Sequence, residues 1–319
     1  MLARLEEHLS QPQSFLPPDS LAQSSPVFAR HETFHPRFGW LKKGFDKTLE
    51  DSGIFTRDEA PVTLGVGKNM VKSIRYWCKA YKIIEDKKGT CIPTKFGTAL
   101  FSDKDGWDPF LEDLGSLWLL HWNLLKLPSH ASAWYLIFNR LWQSEFTQQD
   151  LIYVLTEGIQ TSFPAFKFNE SSLKKDINCL LRMYVKQTQT KVNEESLDCP
   201  FAELSLIFRT EGSYYRFHSG NKSGLCPEII VATCLEFAAA RGEQSQTLSI
   251  TRLLYDNESP GMVFKLTESS LYHAIEQVSK IFPAIALSDT AGLIQLSFEG
   301  DPYTLAQTLL SSYYQNRNH

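Results

Sequence analysis

The sequence predicts an α+β protein that is mainly α-helical. It divides into an arm at residues 1–26, a basic winged helix-turn-helix unit at 27–107, a helical middle at 108–200 and a second winged-helix-like part at 201–319. Three observations predict this. Apolar residues recur at helical spacing through most of the chain, and alternating stretches are few and short. A helix, hairpin and short helix follow one another after residue 68, and a helix and hairpin recur after Thr267.

The opening stretch is rich in Ser, Pro and Gln, with little periodicity after Leu9, and reads as a short helix followed by an irregular arm. In the basic unit a helix runs to Lys82, a strand takes "YKII", a polar turn takes "EDKKG", a second strand takes "TCIPT", and "KFGTALF" is a short helix. Residues 108–127 are apolar nearly all round and read as a buried helix, with Asp108 as cap and Pro109 in the first turn. Further helices follow over 131–186, one capped by Ser171 or Ser172, and then a strand pair turning at Glu211-Gly212. In the last third a helix capped at Thr267, with Leu271, Ile275 and Val278 on one side, leads into a hairpin turning at "SDTAG".

Charge is unevenly spread. Between Arg30 and Leu100 fourteen Lys and Arg face eight Asp and Glu, a net +6 within a chain of −4, so the remainder carries −10. A basic unit in an acidic protein points to a localised anionic partner. Six cysteines without a C-x-x-C pair read as reduced structural thiols and give no support to a zinc ribbon. No run approaches the ~20 apolar residues of a membrane span, and acids occupy the amino terminus, so the expected location is the cytoplasm.

"TLGVGKNMVKSIRYW", residues 63–77, has the look of a phosphate loop but fails as a P-loop. Val62 stands where the first glycine is needed, and Asn69 stands where the metal-binding Ser or Thr is needed. Placed on a helix, Lys68, Lys72, Arg75, Lys79 and Lys82 form one stripe, and Met70, Ile74, Trp77, Cys78 and Tyr81 face inward. The stripe holds no acid of its own, and Lys87 and Lys88 stand at the hairpin tip beyond it. This favours DNA, with lysines on phosphates and Asn69 and Arg75 of the types that read base edges.

"HETFH", residues 31–35, matches the zinc-protease spacing, but Pro36 opposes the helix that spacing requires. The stretch still gathers His31, Glu32, Arg37, Lys42, Lys43 and Asp46. Phosphodiester cleavage needs a base or a metal-held water, with cations around the charged transition state. The candidate roles are Glu32 as base or metal ligand, His31 as acid or base, Asp46 as second carboxylate, and Arg37, Lys42 and Lys43 around the phosphate. The ion would be a divalent one, magnesium or manganese. The competing reading has His31 and Glu32 tying the arm to the domain. His121, among Trp118 and Trp122, reads as a core histidine, and Asp108 and Glu112 read as first-turn helix acids.

The order "HETFHPRFGWLKKGFD", "VTLGVGKNMVKSIRYWCKA", "TKFGTALF" and "DPFLEDLGSLWLLHW" resembles the SspB-like family of bacterial DNA phosphorothioation systems, long catalogued as a domain of unknown function. The resemblance implies DNA as partner and strand nicking as activity, in single-strand phosphorothioate modification and anti-phage defence. It also implies a cysteine desulfurase, an ATPase and a sulfur-transfer enzyme as partners. A non-catalytic adaptor that recruits sulfur-transfer enzymes to DNA is the alternative, and the oligomeric state stays open, a dimer included.

Overall fold

The computed structural model describes residues 20–186, 199–242, 245–290 and 292–317, so most of the amino-terminal arm lies outside the described residues. Thirteen α-helices and eight short strands make up the described chain, an α+β protein dominated by helix.

After a turn of 3-10 helix at Ser20–Gln23 come α1 (Trp40–Glu50), α2 (Ala60–Leu64) and α3 (Lys68–Ala80). Gly65, at φ 64°, closes α2 in the left-handed conformation that glycine adopts without strain, and three residues later α3 begins. β1 (Ile84–Lys87) and β2 (Thr90–Pro93) pair antiparallel, and α4 (Lys95–Phe101) is capped by Thr94. The expected five-residue turn shrinks to Lys88-Gly89. Both have positive φ, as a tight two-residue hairpin loop requires, so Glu85 to Lys87 are recruited into β1. α3 also ends two residues before the expected Lys82, which has turned to φ 58°.

The buried helix is α5 (Leu114–Leu125), with every residue from Gly115 to Leu125 buried. Its cap is Asp113, not Asp108. The Asp108 carboxylate instead accepts from the Glu112 and Asp113 N–H groups in the loop before the helix, so Asp108 and Glu112 are not first-turn acids. Then come α6 (Ser132–Arg140), β3 (Glu145–Phe146), α7 (Gln148–Ser162) and α8 (Glu170–Tyr184), the last capped by Asn169 and not by Ser171 or Ser172. An asparagine one residue before the helix reaches the Ser172 N–H without bending the helix itself. After the 3-10 turn Pro200–Leu204, β4 (Ile207–Arg209) and β5 (Tyr215–Phe217) pair as expected, and β3 joins on the far side of β5.

α9 (Pro227–Ala240), nearly all apolar, packs on α13 (Pro302–Arg317) and on α12 (Glu268–Ser279). β6 (Thr247–Ser249), α10 (Ile250–Tyr255), α11 (Pro260–Phe264), α12 (Glu268–Ser279), β7 (Ile285–Thr290) and β8 (Leu293–Phe298) precede α13. The strands form an antiparallel sheet in the order β6-β8-β7. Thr267 caps α12, whose Leu271, Ile275 and Val278 are buried, as the spacing predicts. Asp113 fastens α13 to α5 by accepting from Tyr313 at 2.8 Å and Arg317 at 2.6 Å. One apolar core runs from Leu21 to Tyr314, with a small satellite at Ala60, Leu64 and Val71. None of the described helices is long and apolar enough to cross a membrane.

Candidate nucleic-acid interface

α3 is anchored through its apolar face. Ile74, Trp77 and Cys78 are fully buried, and Met70 is partly so. Burying a large apolar side chain contributes about 1.5–3 kcal/mol, and Trp77 also donates its Nε1–H to the Phe34 carbonyl at 3.0 Å. The segment carrying "HETFH" is therefore bound to the back of the basic helix.

His31 lies at the centre of that contact. Its Nε2 is 2.9 Å from Asp176 on α8, both side chains are shut from solvent, and the ring stacks on Trp77 and meets Trp134 edge-on. The same carboxylate accepts the Ala29 N–H at 3.0 Å from each oxygen. Burial raises the Asp176 pKa, against the pull of His31 and Ala29. His31 is thus a clasp between the amino-terminal segment and α8, and burial leaves it no path to a phosphodiester outside. The acid–base expectation gives way to the arm-tying one.

Glu32 and Thr33 adopt φ of 51° and 67°, so the segment is a turn and the H-E-x-x-H spacing never reaches one helix face. Glu32 is half-buried, its Oε1 3.6 Å from Lys72 Nζ. Arg37 lies over the rings of Phe34 and Trp40. On α1, Lys42 is bonded to Asp46 at 2.5 Å and to Asp103 at 2.7 Å. Burial acts to lower the Lys42 pKa, but Asp103 and Asp46 outweigh it and leave it raised. Lys43 points elsewhere, donating to the Leu64 carbonyl at the end of α2. Among the described residues no three His, Cys, Asp or Glu side chains come together as a group that could hold a metal ion. Glu32 and Asp46, the expected metal ligands, are each engaged by a lysine.

The outer face of α3 is where the cations gather, but it is less bare than its sequence. Lys68 and Asn69 are exposed at its first turn, which has no side-chain cap, and among the described residues neither has a side-chain partner. Lys87 and Lys88 are equally exposed at the hairpin tip. Between them, Lys72 leans on Glu32, and Arg75 and Lys79 both grip Asp86 of β1, Arg75 at 3.0 Å. Burial would raise the Asp86 pKa, but Lys79 and Arg75 together bring it down to about 2. The acids missing from the stripe arrive from other segments.

Lys82 leaves the stripe altogether. Its ammonium donates to the Asn123 and Lys126 carbonyls, each at 2.6 Å, and burial pushes its pKa down to about 7. Its sequence position was misleading because the helix ends at Ala80, and a positive-φ residue redirects the side chain. Asp86, Asp103 and Asp176 are the functional partners that sequence spacing missed. Of these, only Asp86 lies close in sequence to the cations it holds, in the hairpin that follows α3.

His121 is the core residue expected. Its Nε2 donates to the Val263 carbonyl at 3.0 Å, so Nδ1 accepts from the Tyr184 hydroxyl at 2.8 Å. Burial pushes its pKa down to about 3. The six cysteines are unbridged, and burial raises the pKa of every one.

Residues 28–314 match the family model described as a protein of unknown function, DUF4007. A magnesium ion-bound SspB crystal structure superposes with a TM-score of 0.87 at 37% identity, covering 93% of this chain and 90% of that one. A second SspB crystal structure gives 0.86 at 38% identity over the same shares. No curated protein matches. With a family model spanning nearly the whole chain and the SspB fold shared over 93% of it, this chain belongs to the DUF4007 family and is SspB-like.

Proposed function

We propose that this chain is the DNA-contacting component of a bacterial phosphorothioate modification and anti-phage defence system. In this reading it opens one strand so that partner enzymes can replace a phosphate oxygen with sulfur. The observation that carries the reading is the exposed start of α3, Lys68 and Asn69, flanked by Lys72 and by the hairpin lysines Lys87 and Lys88. α1 to α4 with their hairpin act as a winged helix-turn-helix. α3 enters the groove, Asn69 and Arg75 face base edges, and the hairpin tip rests on phosphate.

Glu32, beside Lys72 on this surface, is the carboxylate assigned to strand opening, with Arg37, Lys42, Lys43 and Asp46 as the supporting group on α1 and its entry. Magnesium, named for one SspB crystal structure, is the first ion to try, and manganese the second. A supercoiled plasmid should relax to open circles with either ion and not with chelator. Glu32→Ala should slow this by roughly 100-fold or more. Nicking at the parent rate would remove Glu32 from that role.

The clasping of His31 inside the core favours a second reading at this cluster, a non-catalytic adaptor that brings a cysteine desulfurase, an ATPase and a sulfur-transfer enzyme to DNA. It predicts salt-sensitive DNA binding and no relaxation under any ion.

A further inference from the structure

The charge distribution on the carboxy-terminal side contains an exception. Outside residues 30–100 the chain carries −10, yet two adjoining grooves there have no Asp or Glu among their lining residues. Each has a volume of about 680 Å³. Arg182, Lys186 and Arg209 line the first, and Arg216, His218 and Lys265 line the second.

Phe208 of β4 lines both grooves. It is 40% exposed, and Trp142 and Tyr255 stand 64% and 58% exposed on the second groove. The strand pairing sets this face. Phe208 lies opposite Arg216, which lies opposite Glu145, so these three share one side of the small sheet, while Ile207 and Phe217 turn inward and Arg209 lies on their side of the strand. Glu145 holds Arg216 at 2.6 Å and Glu203 holds Lys186 at 3.4 Å, both from outside the grooves. Arg182, at the end of α8, has no side-chain partner among the described residues.

We propose that these grooves form a track for single-stranded DNA, with Phe208 and Trp142 stacking bases and Arg182 and Arg209 meeting the backbone. Exposed aromatic faces beside cations, in grooves with no Asp or Glu among their lining residues, match a ligand that carries bases and phosphates side by side. A duplex offers no unstacked base to these rings. The track rests on the reading that this chain acts on DNA, and it assigns the opened strand a place apart from the duplex on α3.

The test titrates the full chain with an oligothymidylate of roughly twenty nucleotides, and in parallel with a duplex of equal length. Single strands should quench the exposed Trp142. Phe208→Ala and Trp142→Ala should each weaken single-strand binding by roughly 5- to 150-fold and leave duplex affinity unchanged, with Phe208→Tyr restoring the binding. Arg182→Ala with Arg209→Ala should flatten the salt slope by about 0.7 per lost phosphate contact. Lys68→Ala with Lys72→Ala should instead weaken duplex binding and leave single-strand affinity unchanged, so failure of the α3 reading shows in the duplex arm and failure of the track in the single-strand arm. Single-strand affinity unchanged in the Phe208 and Trp142 variants, or an absent Trp142 quench, would overturn the track.

Discussion

Lys82 and its neighbours show how far one dihedral can move a charge. A lysine three residues after Lys79 belongs to the helix's basic face only while the helix continues. At φ 58° Lys82 instead seals two carbonyls at the end of α5, where a cation also suits the helix dipole. Lys82→Met should therefore lower stability by roughly 1–3 kcal/mol, because both carbonyls lose a charged donor. Duplex affinity should stay as it was. Denaturant unfolding and a DNA titration on the same preparation check both halves, and a variant that is stable but binds DNA poorly would return Lys82 to the interface.

At the scale of elements, α3 and the hairpin form one electrostatic unit. β1 carries Asp86 to the helix face, where it neutralises part of the charge of Arg75 and Lys79 while fixing where the hairpin sits. Exposed pairs of this kind contribute little stability, roughly 0–1 kcal/mol. Their effect on a polyanion is larger, because each cation freed adds a phosphate contact. Asp86→Asn should accordingly tighten duplex binding and steepen its salt dependence by up to about 0.9 per added contact. Weaker binding would mean that Asp86 positions Arg75 for a base and does not merely mask it.

For the whole molecule, the clasp between His31 and Asp176 ties the first described segment to α8, 145 positions away in the chain. With Trp77 and Trp134 packed on the same ring, it joins the basic unit to the helical middle in one core. Removing one partner of a buried pair costs about 3–5 kcal/mol, since the other is left uncompensated. Asp176→Ala should lower unfolding stability by that amount. A loss below about 1 kcal/mol would show the clasp to be no stronger than a surface pair.

The sequence by itself determined the helical character of the chain, the two-faced α3, the hairpin after it, the cap at Thr267 and the core placement of His121. These rest on local periodicity and turn chemistry, which act between residues a few positions apart. It missed α9, apolar on nearly every side, and α13, whose mixed polar and apolar residues define no clear face, and it set the caps of α5 and α8 on the wrong residues among clustered polar candidates. Only the tertiary structure decided which charges remain available. Asp86, Asp103 and Asp176 lie 7 to 145 positions from the cations and histidine they hold, and no spacing rule reaches across that distance. A basic stripe is a property of one helix, but its free charge depends on everything folded against it.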